Sequence, residues 1–183
     1  MPNTANCYIS SGVSLGCSDS IGGIKKIYIG GGTGYTTGYT INPTTLAITG
    51  ATSTSGTTYY GFELKRGTSG LVQTTTKSFE NGTVYYEQVL TVQLYKYDQD
   101  KRNQMKILGQ NDNLQIIAID QNDTKYLLGK VNYSYMSGGN ASSGVALGDK
   151  NGFEFVFTAQ EAEPAPTIVG ELATVYSGAT ISN

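Results

Sequence analysis

Residues 84–97 read VYYEQVLTVQLYKY, and they carry the clearest structural signal in the chain. Side chains alternate between the two faces of an extended strand, so a pattern of period two marks which face is buried. One face holds mainly apolar side chains and the other mainly polar ones. The apolar face comprises Val84, Tyr86, Gln88, Leu90, Val92 and Leu94; the polar face comprises Tyr85, Glu87, Thr91 and Gln93. The stretch predicts one long, half-buried β-strand.

A short helix is predicted directly after this strand, over residues 99–108. Asp98 or Asp100 provides an N-cap, because a carboxylate there accepts from the free N–H groups of the first turn. Gly109 is a typical C-terminal stop. The apolar side of the helix comprises Met105, Ile107 and Leu108.

More strands are predicted on both sides of this region. Downstream, residues 113–119 and 125–131 flank a turn at 120–123, and residues 152–158 place three phenylalanines on one face. Upstream, the glycine-rich residues 30–40 predict a flexible loop or a hairpin. The remaining upstream predictions are strands at 24–29, within 41–52, around 59–65 and at 71–80, with a tight turn at Asn81-Gly82.

The order of elements favours a mainly β fold, either a β-sandwich or a small barrel with one short flanking helix. We expect a β-sandwich domain over residues 24–163, an N-terminal arm over 1–23 and an extended C-terminal arm over 164–183. Residues 132–151 predict a long polar loop, and both arms and this loop are expected to need a partner to become ordered. The predicted core comprises Leu90, Val92, Leu94, Ile117, Ile119, Leu127, Phe155 and Phe157.

The composition points toward self-association. Charged residues make up 14% of the chain, against about 25% in an average soluble domain. A surface rich in Thr, Ser, Gly and Tyr suits a protein that contacts other copies of itself, while a secreted β-sandwich with a neutral polar surface remains the alternative.

The charge pattern also limits the partners. The net charge of −2 and the lack of a basic block argue against specific nucleic-acid binding. The sequence contains no run of 18 apolar residues, so it predicts no membrane span. The first 20 residues lack the pattern of a secretory signal, so we expect the protein to stay in the cell that makes it.

The residue types argue against an enzyme. The chain has no histidine, which removes the commonest general base and metal ligand. We therefore predict no catalytic, cofactor-binding or metal-binding residues and no cofactor. A glycosidase would need two facing carboxylates, and its weak candidates are Glu63, Glu80, Glu87, Asp149 and Glu154.

Two local patterns and one cysteine pair have simple interpretations. Residues 30–34 lack the Lys-Ser or Lys-Thr of a phosphate loop, and residues 120–131 lack the Gly and Glu of a calcium loop. Cys7 and Cys17 are the only cysteines. Without a secretory signal, two free thiols are favoured, although a disulfide stays open.

Residues 59–166 resemble a family of small structural proteins of tailed-phage virions, which includes tail tube proteins. The resemblance is carried by ENGTVYYEQVLTVQLYKYDQDKRNQMKIL, by LQIIAIDQNDTKYLLGK, and by the glycine-rich segment that leads into GVALGDKNGFEFVFTAQEAEPAP. Residues 1–58 lie outside it. A ring at the head–tail neck of the particle matches the same pattern.

The resemblance implies a subunit of hexameric rings, which stack into a hollow tube that conducts DNA within the virion. Its partners would be copies of itself, neighbouring virion proteins and passing DNA that is not specifically bound. We expect strand acids such as Glu63, Glu87 or Glu154 to face the lumen, and Lys101-Arg102 to face the outer wall. The alternative function is a phage fibre, a decoration protein or a carbohydrate-binding β-module.

Overall fold

The computed structural model describes residues 12, 20–32 and 34–182. It is mainly β, with 52% strand and 9% helix, which confirms the predicted fold class. The strands are β1 Ile24–Gly32, β2 Thr36–Ile41, β3 Ile48–Ser53, β4 Thr57–Glu63, β5 Gly70–Ser78, β6 Thr83–Tyr95, β7 Ile116–Asp120, β8 Lys125–Leu128, β9 Ser134–Ser142, β10 Gly152–Glu161, β11 Thr167–Ile168, β12 Tyr176–Ser177 and β13 Thr180–Ser182. The helices are α1 Gln99–Leu108 and α2 Leu172–Val175. Among the described residues, no helix has the length and apolar character that crossing a membrane requires.

The strands form two sheets. Sheet A has nine strands in the order β12-β3-β11-β8-β7-β1-β4-β13, with β2 paired to β3, and it curls into a half-barrel. Sheet B has four antiparallel strands in the order β5-β6-β10-β9. β12 and β13 lie at opposite ends of sheet A's order, yet only residues 178–179 separate them in sequence. Gly178 turns the chain between them at a φ of +86°, a left-handed conformation that suits glycine.

Two separate cores form because sheet A is buried on both faces. The first core lies between the two sheets, and the second lies inside the curl of sheet A. β7 separates them: Ile116 and Ala118 point into the first core, while Ile117 and Ile119 point into the second. The continuously apolar sequence of β7 follows from this position, since both faces of the strand are covered.

The sequence identified the central strand, the core and the helix correctly. All eight predicted core residues are buried, and Phe153, Phe155 and Phe157 share the core face of β10. In β6, the buried residues are those of the predicted apolar face, from Gln88 to Leu94. Helix α1 has the predicted bounds; the Asp98 carboxylate accepts from the N–H of Lys101 at 3.0 Å, and Gly109 ends the helix.

The prediction of a long loop over residues 132–151 was wrong for its first half. Residues 134–142 form β9, which pairs with β10 along its length. The glycines there serve close packing: a Cβ on Gly139 would lie 2.3 Å from the Met136 methyl carbon and 3.0 Å from that of Met105. The glycines of β9 therefore leave room for side chains that pack against the strand's backbone. From sequence alone, glycines with this role cannot be distinguished from glycines of a flexible loop.

The prediction of a flexible loop or a hairpin over residues 30–40 was also wrong, since β2 pairs with β3 and not with β1. β1 continues through Gly32, and β2 begins at Thr36. A Cβ on Gly30 would come within 3.0 Å of the Tyr59 ring and 3.1 Å of the Gln115 carbonyl oxygen. Glycine at this position lets two elements approach the strand closely.

The C-terminal segment differs from the extended arm that the sequence predicts. Within residues 164–182, β11 and β12 pair with β3, and β13 pairs with β4. The segment also supplies four residues of the second core, namely Ile168, Leu172, Val175 and Tyr176. Its apolar residues are sparse in sequence, but most of them converge on the second core inside the curled sheet. Of the predicted N-terminal arm, the structure describes residues 12 and 20–23 only; Cys7 and Cys17 lie outside the described residues.

Candidate assembly surface

Sheet B ends in two long edge strands that, among the described residues, have no further strand beside them. β5 pairs only with β6, and β9 pairs only with β10. Each has nine residues, with no proline, and their one charged side chain is Lys77 in β5. Free edges expose N–H and C=O groups that pair readily with another chain, and proteins usually protect them with charges, proline or short length. Apart from Lys77 in β5 and one register shift in β9 between Met136 and Gly138, these two edges lack such protections.

The two edges run in opposite directions. Each neighbouring pair in sheet B is antiparallel, so β5 is antiparallel to β9 across the sheet. A second copy, rotated about an axis roughly parallel to the strands, would bring its own β5 beside β9 with antiparallel polarity. Such a contact joins two different surfaces, so it repeats from copy to copy and closes into a ring where the rotation permits.

The outer face of sheet B, which points away from the first core, carries few charged side chains. Glu87 and Glu154 lie on this face, whereas Lys77 and Glu161 alternate to the core side. The four strands therefore place two carboxylates and no lysine or arginine on their outer face. Glu154 accepts from the Lys150 ammonium at 2.6 Å and from the Gln93 amide at 3.0 Å, and the Lys150 hydrogen bond lowers the pKa of its carboxyl.

The sequence-predicted lumen acids are divided between the sheets. Glu63 lies at the end of β4 in sheet A, while Glu87 and Glu154 share the outer face of sheet B. Arg102 lies over the Tyr97 ring, which stacks on Phe153 on the core side of sheet B. Helix α1 therefore carries Arg102 away from the outer face.

Glu87 and Glu154, the two glycosidase candidates on one face of sheet B, do not form the pair that this chemistry needs. Glu154 pairs with Gln93 across the strands, and Glu87 lies six residues from Gln93 along β6, a separation of about 20 Å. Catalytic carboxyl pairs lie about 5–9.5 Å apart. Glu63 belongs to the other sheet, and Glu80 lies in the β5–β6 turn. Among the described residues, no group of three or more His, Cys, Asp or Glu side chains is arranged to hold a metal ion.

One end of sheet B carries an exposed apolar projection. The hairpin tip, residues 76–85, contains Phe79, Val84 and Tyr85, which are 86%, 43% and 38% exposed. The last pairing of β6 with β10 is at Tyr86, so beyond it the hairpin continues as two strands alone.

The other end of the sheet carries a second apolar projection. The 143–151 loop joins β9 to β10, and its Val145 and Leu147 side chains are fully exposed. The Asp149 carboxylate accepts from the N–H groups of Ala146 at 2.8 Å and Val145 at 2.9 Å, which lowers its pKa and fixes the loop's shape. Gly152 at the end of this loop pairs with Tyr95, at the opposite end of β6 from the hairpin tip.

Phe79, Val145 and Leu147 were not identified from the sequence. A signal for Phe79 was present, since it lies two residues before the Asn81-Gly82 turn, where a large apolar side chain rarely finds cover. Val145 and Leu147 belong to a short apolar run within a polar segment, and that run was the equivalent signal. The prediction that residues 132–151 contact neighbouring copies stays a prediction.

No protein-family model, curated protein or solved structure matches this chain.

Proposed function

We propose that the chain is a structural subunit that assembles with copies of itself into closed rings through the two edges of sheet B. The observation that carries this proposal is the pair of long, weakly protected and oppositely directed edge strands, β5 and β9. Pairing β5 of each copy with β9 of the next satisfies the exposed backbone groups of both. Closure then removes every free edge of sheet B, which is the physical advantage of a barrel.

The stagger of the two edges suits closure. Ser134, the first residue of β9, aligns through Ala159 with Gln88 of β6, whereas β5 extends along β6 as far as Thr83. A closed barrel requires tilted strands and a fixed shift of register around its circumference. An offset between the two edges of each repeating unit supplies such a shift.

We further propose that the rings stack into a hollow tube whose wall is the outer face of sheet B, and that DNA passes through it. Support comes from the charge on that face, since lysine or arginine contacts to phosphates would create salt-dependent affinity for DNA. The only charged side chains that the four strands place on that face are Glu87 and Glu154, and Lys150 from the neighbouring loop pairs with Glu154. A wall of this kind lets a polyanion pass without gripping it.

The viral setting of the proposal rests on the sequence resemblance to tailed-phage structural proteins. On that basis, the protein is a component of the virion in the tail tube or neck ring, with six subunits per ring. Its partners are copies of itself and neighbouring virion proteins.

Substitution of the β5 edge tests the ring. Thr74 and Thr76 are exposed residues of β5, and changing both to lysine places charge along the edge. The matched control changes Thr44 and Thr45 to lysine in the exposed turn before β3. The purified proteins are compared by negative-stain microscopy and by light scattering after size-exclusion chromatography, with circular dichroism to verify folding.

The expected result is rings or tubes for the wild type and the control, and folded monomers for the β5 variant. A wild-type protein that gives only small discrete particles would contradict the proposal and favour a fibre, decoration or carbohydrate-binding module. Rings formed equally well by the β5 variant would show that this edge is not the contact.

A further inference from the structure

The hairpin tip is poorly stabilised within one copy of the chain. Residues 76–78 and 83–85 pair only with each other, without a third strand beside them. An isolated two-stranded hairpin is marginally stable in water. Its apolar residues are exposed as well, with Phe79 at 86%. Both facts indicate that another surface covers this tip in the functional protein.

The 143–151 loop offers a surface of the same chemistry. Val145 and Leu147 are fully exposed, although burying either side chain away from water would be energetically favourable. The two hydrogen bonds to Asp149 preorganise the backbone at Val145 and Ala146. A contact at this loop therefore requires little additional ordering, which favours association.

These two surfaces are at opposite ends of one sheet. β6 spans thirteen residues between them, which corresponds to about 40 Å at the usual rise of a strand. A hairpin tip therefore cannot reach the loop of its own chain. A second copy displaced along the strand direction brings its hairpin tip to the loop of the first.

The strands that form the proposed ring edges also lead into these ends. β5 runs directly into the hairpin tip, and β9 runs directly into the 143–151 loop. A contact between the hairpin tip and the 143–151 loop would thus extend the interface within a ring to copies in the ring above or below it. A second copy of the chain covers both apolar ends at once, whereas a different partner at one end would leave the other exposed.

We propose that the hairpin tip of one copy docks on the 143–151 loop of a copy in the next ring, and that this contact drives stacking. Phe79 and Val84, which lie on the same side of the hairpin as Lys77, pack against Val145 and Leu147. The inference rests on the proposed assembly and identifies the contact that makes rings grow into tubes. Because the joined surfaces differ, the stack is polar and grows head to tail.

Disulfide trapping tests the contact directly. In a background with Cys7→Ser and Cys17→Ser, one protein carries Phe79→Cys and another carries Leu147→Cys. Each is oxidised alone and then in an equal mixture. We expect cross-linked dimers in the mixture and no cross-linked dimers when either protein is oxidised alone. Cross-linking of the Phe79→Cys protein with itself to the same extent would indicate a symmetric contact and overturn the proposal, as would a mixture without cross-links.

Microscopy of apolar-to-polar variants separates this contact from the ring. Phe79→Ser, and Val145→Ser combined with Leu147→Ser, should leave single rings while tubes are lost. Leu46→Ser is the matched control, since Leu46 is also exposed, at 69%, but lies in the turn before β3. Tubes of normal length in the first two variants, or a loss of rings together with tubes, would overturn the stacking role. Wild-type protein without rings would refute the proposed ring instead, and the cross-linking result would still decide the tip-to-loop contact.

Discussion

The side-chain amide of Gln115 pairs with the backbone of Thr36, 79 residues away, as a neighbouring strand would. Gln115 Oε1 accepts from the Thr36 N–H at 3.2 Å, and Gln115 Nε2 donates to the Thr36 carbonyl at 2.8 Å. The same amide accepts from the Tyr59 hydroxyl at 3.2 Å and donates to the Tyr39 hydroxyl at 2.9 Å. One buried side chain thereby connects the start of β2, the start of β7 and the interior of the half-barrel.

Replacing Gln115 with methionine keeps the side chain's size but leaves the Thr36 N–H without its partner and removes one hydrogen bond each from the Thr36 carbonyl and the Tyr59 and Tyr39 hydroxyls. Each buried group without a partner costs about 1–3 kcal/mol, so we expect the free energy of unfolding to fall by at least about 2 kcal/mol. Urea denaturation measures the change. Gln110→Met is the control, because Gln110 is exposed just after α1 and should tolerate the substitution. Equal midpoints for the two variants would contradict the role given to Gln115.

Two buried tyrosines in the second core should respond oppositely to loss of the hydroxyl. Tyr59 shares a hydrogen bond of 3.0 Å with Thr36 Oγ1 and donates to Gln115, whereas the Tyr176 hydroxyl has no partner among the described residues. Tyr59→Phe should therefore destabilise the protein by about 1 kcal/mol or more, and Tyr176→Phe should leave it unchanged or more stable. Thermal melts of both variants provide the comparison, and the rings pack edge to face at 5.1 Å in either case. A larger loss from Tyr176→Phe than from Tyr59→Phe would refute this assignment.

The same tyrosines should make the fold sensitive to alkali. Burial raises the pKa of Tyr59 from 10.0 to about 12, and burial also raises the pKa of Tyr39 and Tyr176. Between pH 10 and about 12 the unfolded chain loses protons that the folded chain retains, so stability falls as pH rises. Tyrosinate absorbance at 295 nm and circular dichroism should change together above pH 10. Full ionisation of the tyrosines while the fold stays intact would contradict the burial of these hydroxyls.

The fold was predictable where side-chain pattern alone decides structure. The alternation in β6 and the three phenylalanines of β10 identify core faces, and Asp98 with Gly109 bounds α1. Prediction failed where long-range packing decides. Gly30 and Gly139 are strand positions that require glycine, because Tyr59 and Met136 pass close to their backbones. Neither neighbour can be identified from local sequence.

The candidate surface was predictable only in its chemistry. The low charge and the Thr-rich strands indicated self-association, but the two free edges follow from which strands pair. That pairing depends on residues far apart: β5 and β9 are more than fifty positions apart in sequence, and only the completed sheet makes them its two edges. The sequence predicted that Glu63, Glu87 and Glu154 all face the lumen. Glu87 and Glu154 do share one face of sheet B, whereas Glu63 lies in sheet A. The sheet to which a strand belongs cannot be deduced from that strand's own residues.

Charge reversal on the proposed wall tests the passive conduit. Assembled wild-type protein should bind DNA weakly even at low salt, since the four strands of sheet B place no lysine or arginine on their outer face and the nearby Lys150 is paired with Glu154. Glu87→Lys should produce DNA binding that weakens steeply as salt is added, because each phosphate contact releases counterions. Glu63→Lys is the matched control on sheet A and should change binding little. Tight, salt-sensitive binding by the wild type would indicate a protein that grips DNA.

The way β12 and β13 complete sheet A has a consequence for the timing of synthesis. These strands and α2 are made after every other described element, yet they close the half-barrel and fill the second core. A nascent chain that lacks them would display an unfilled apolar interior. Because the last-made residues fill the second core, the native state forms only after translation has passed residue 182. Truncated products therefore stay incompletely folded and become substrates for proteases rather than defective members of an assembly.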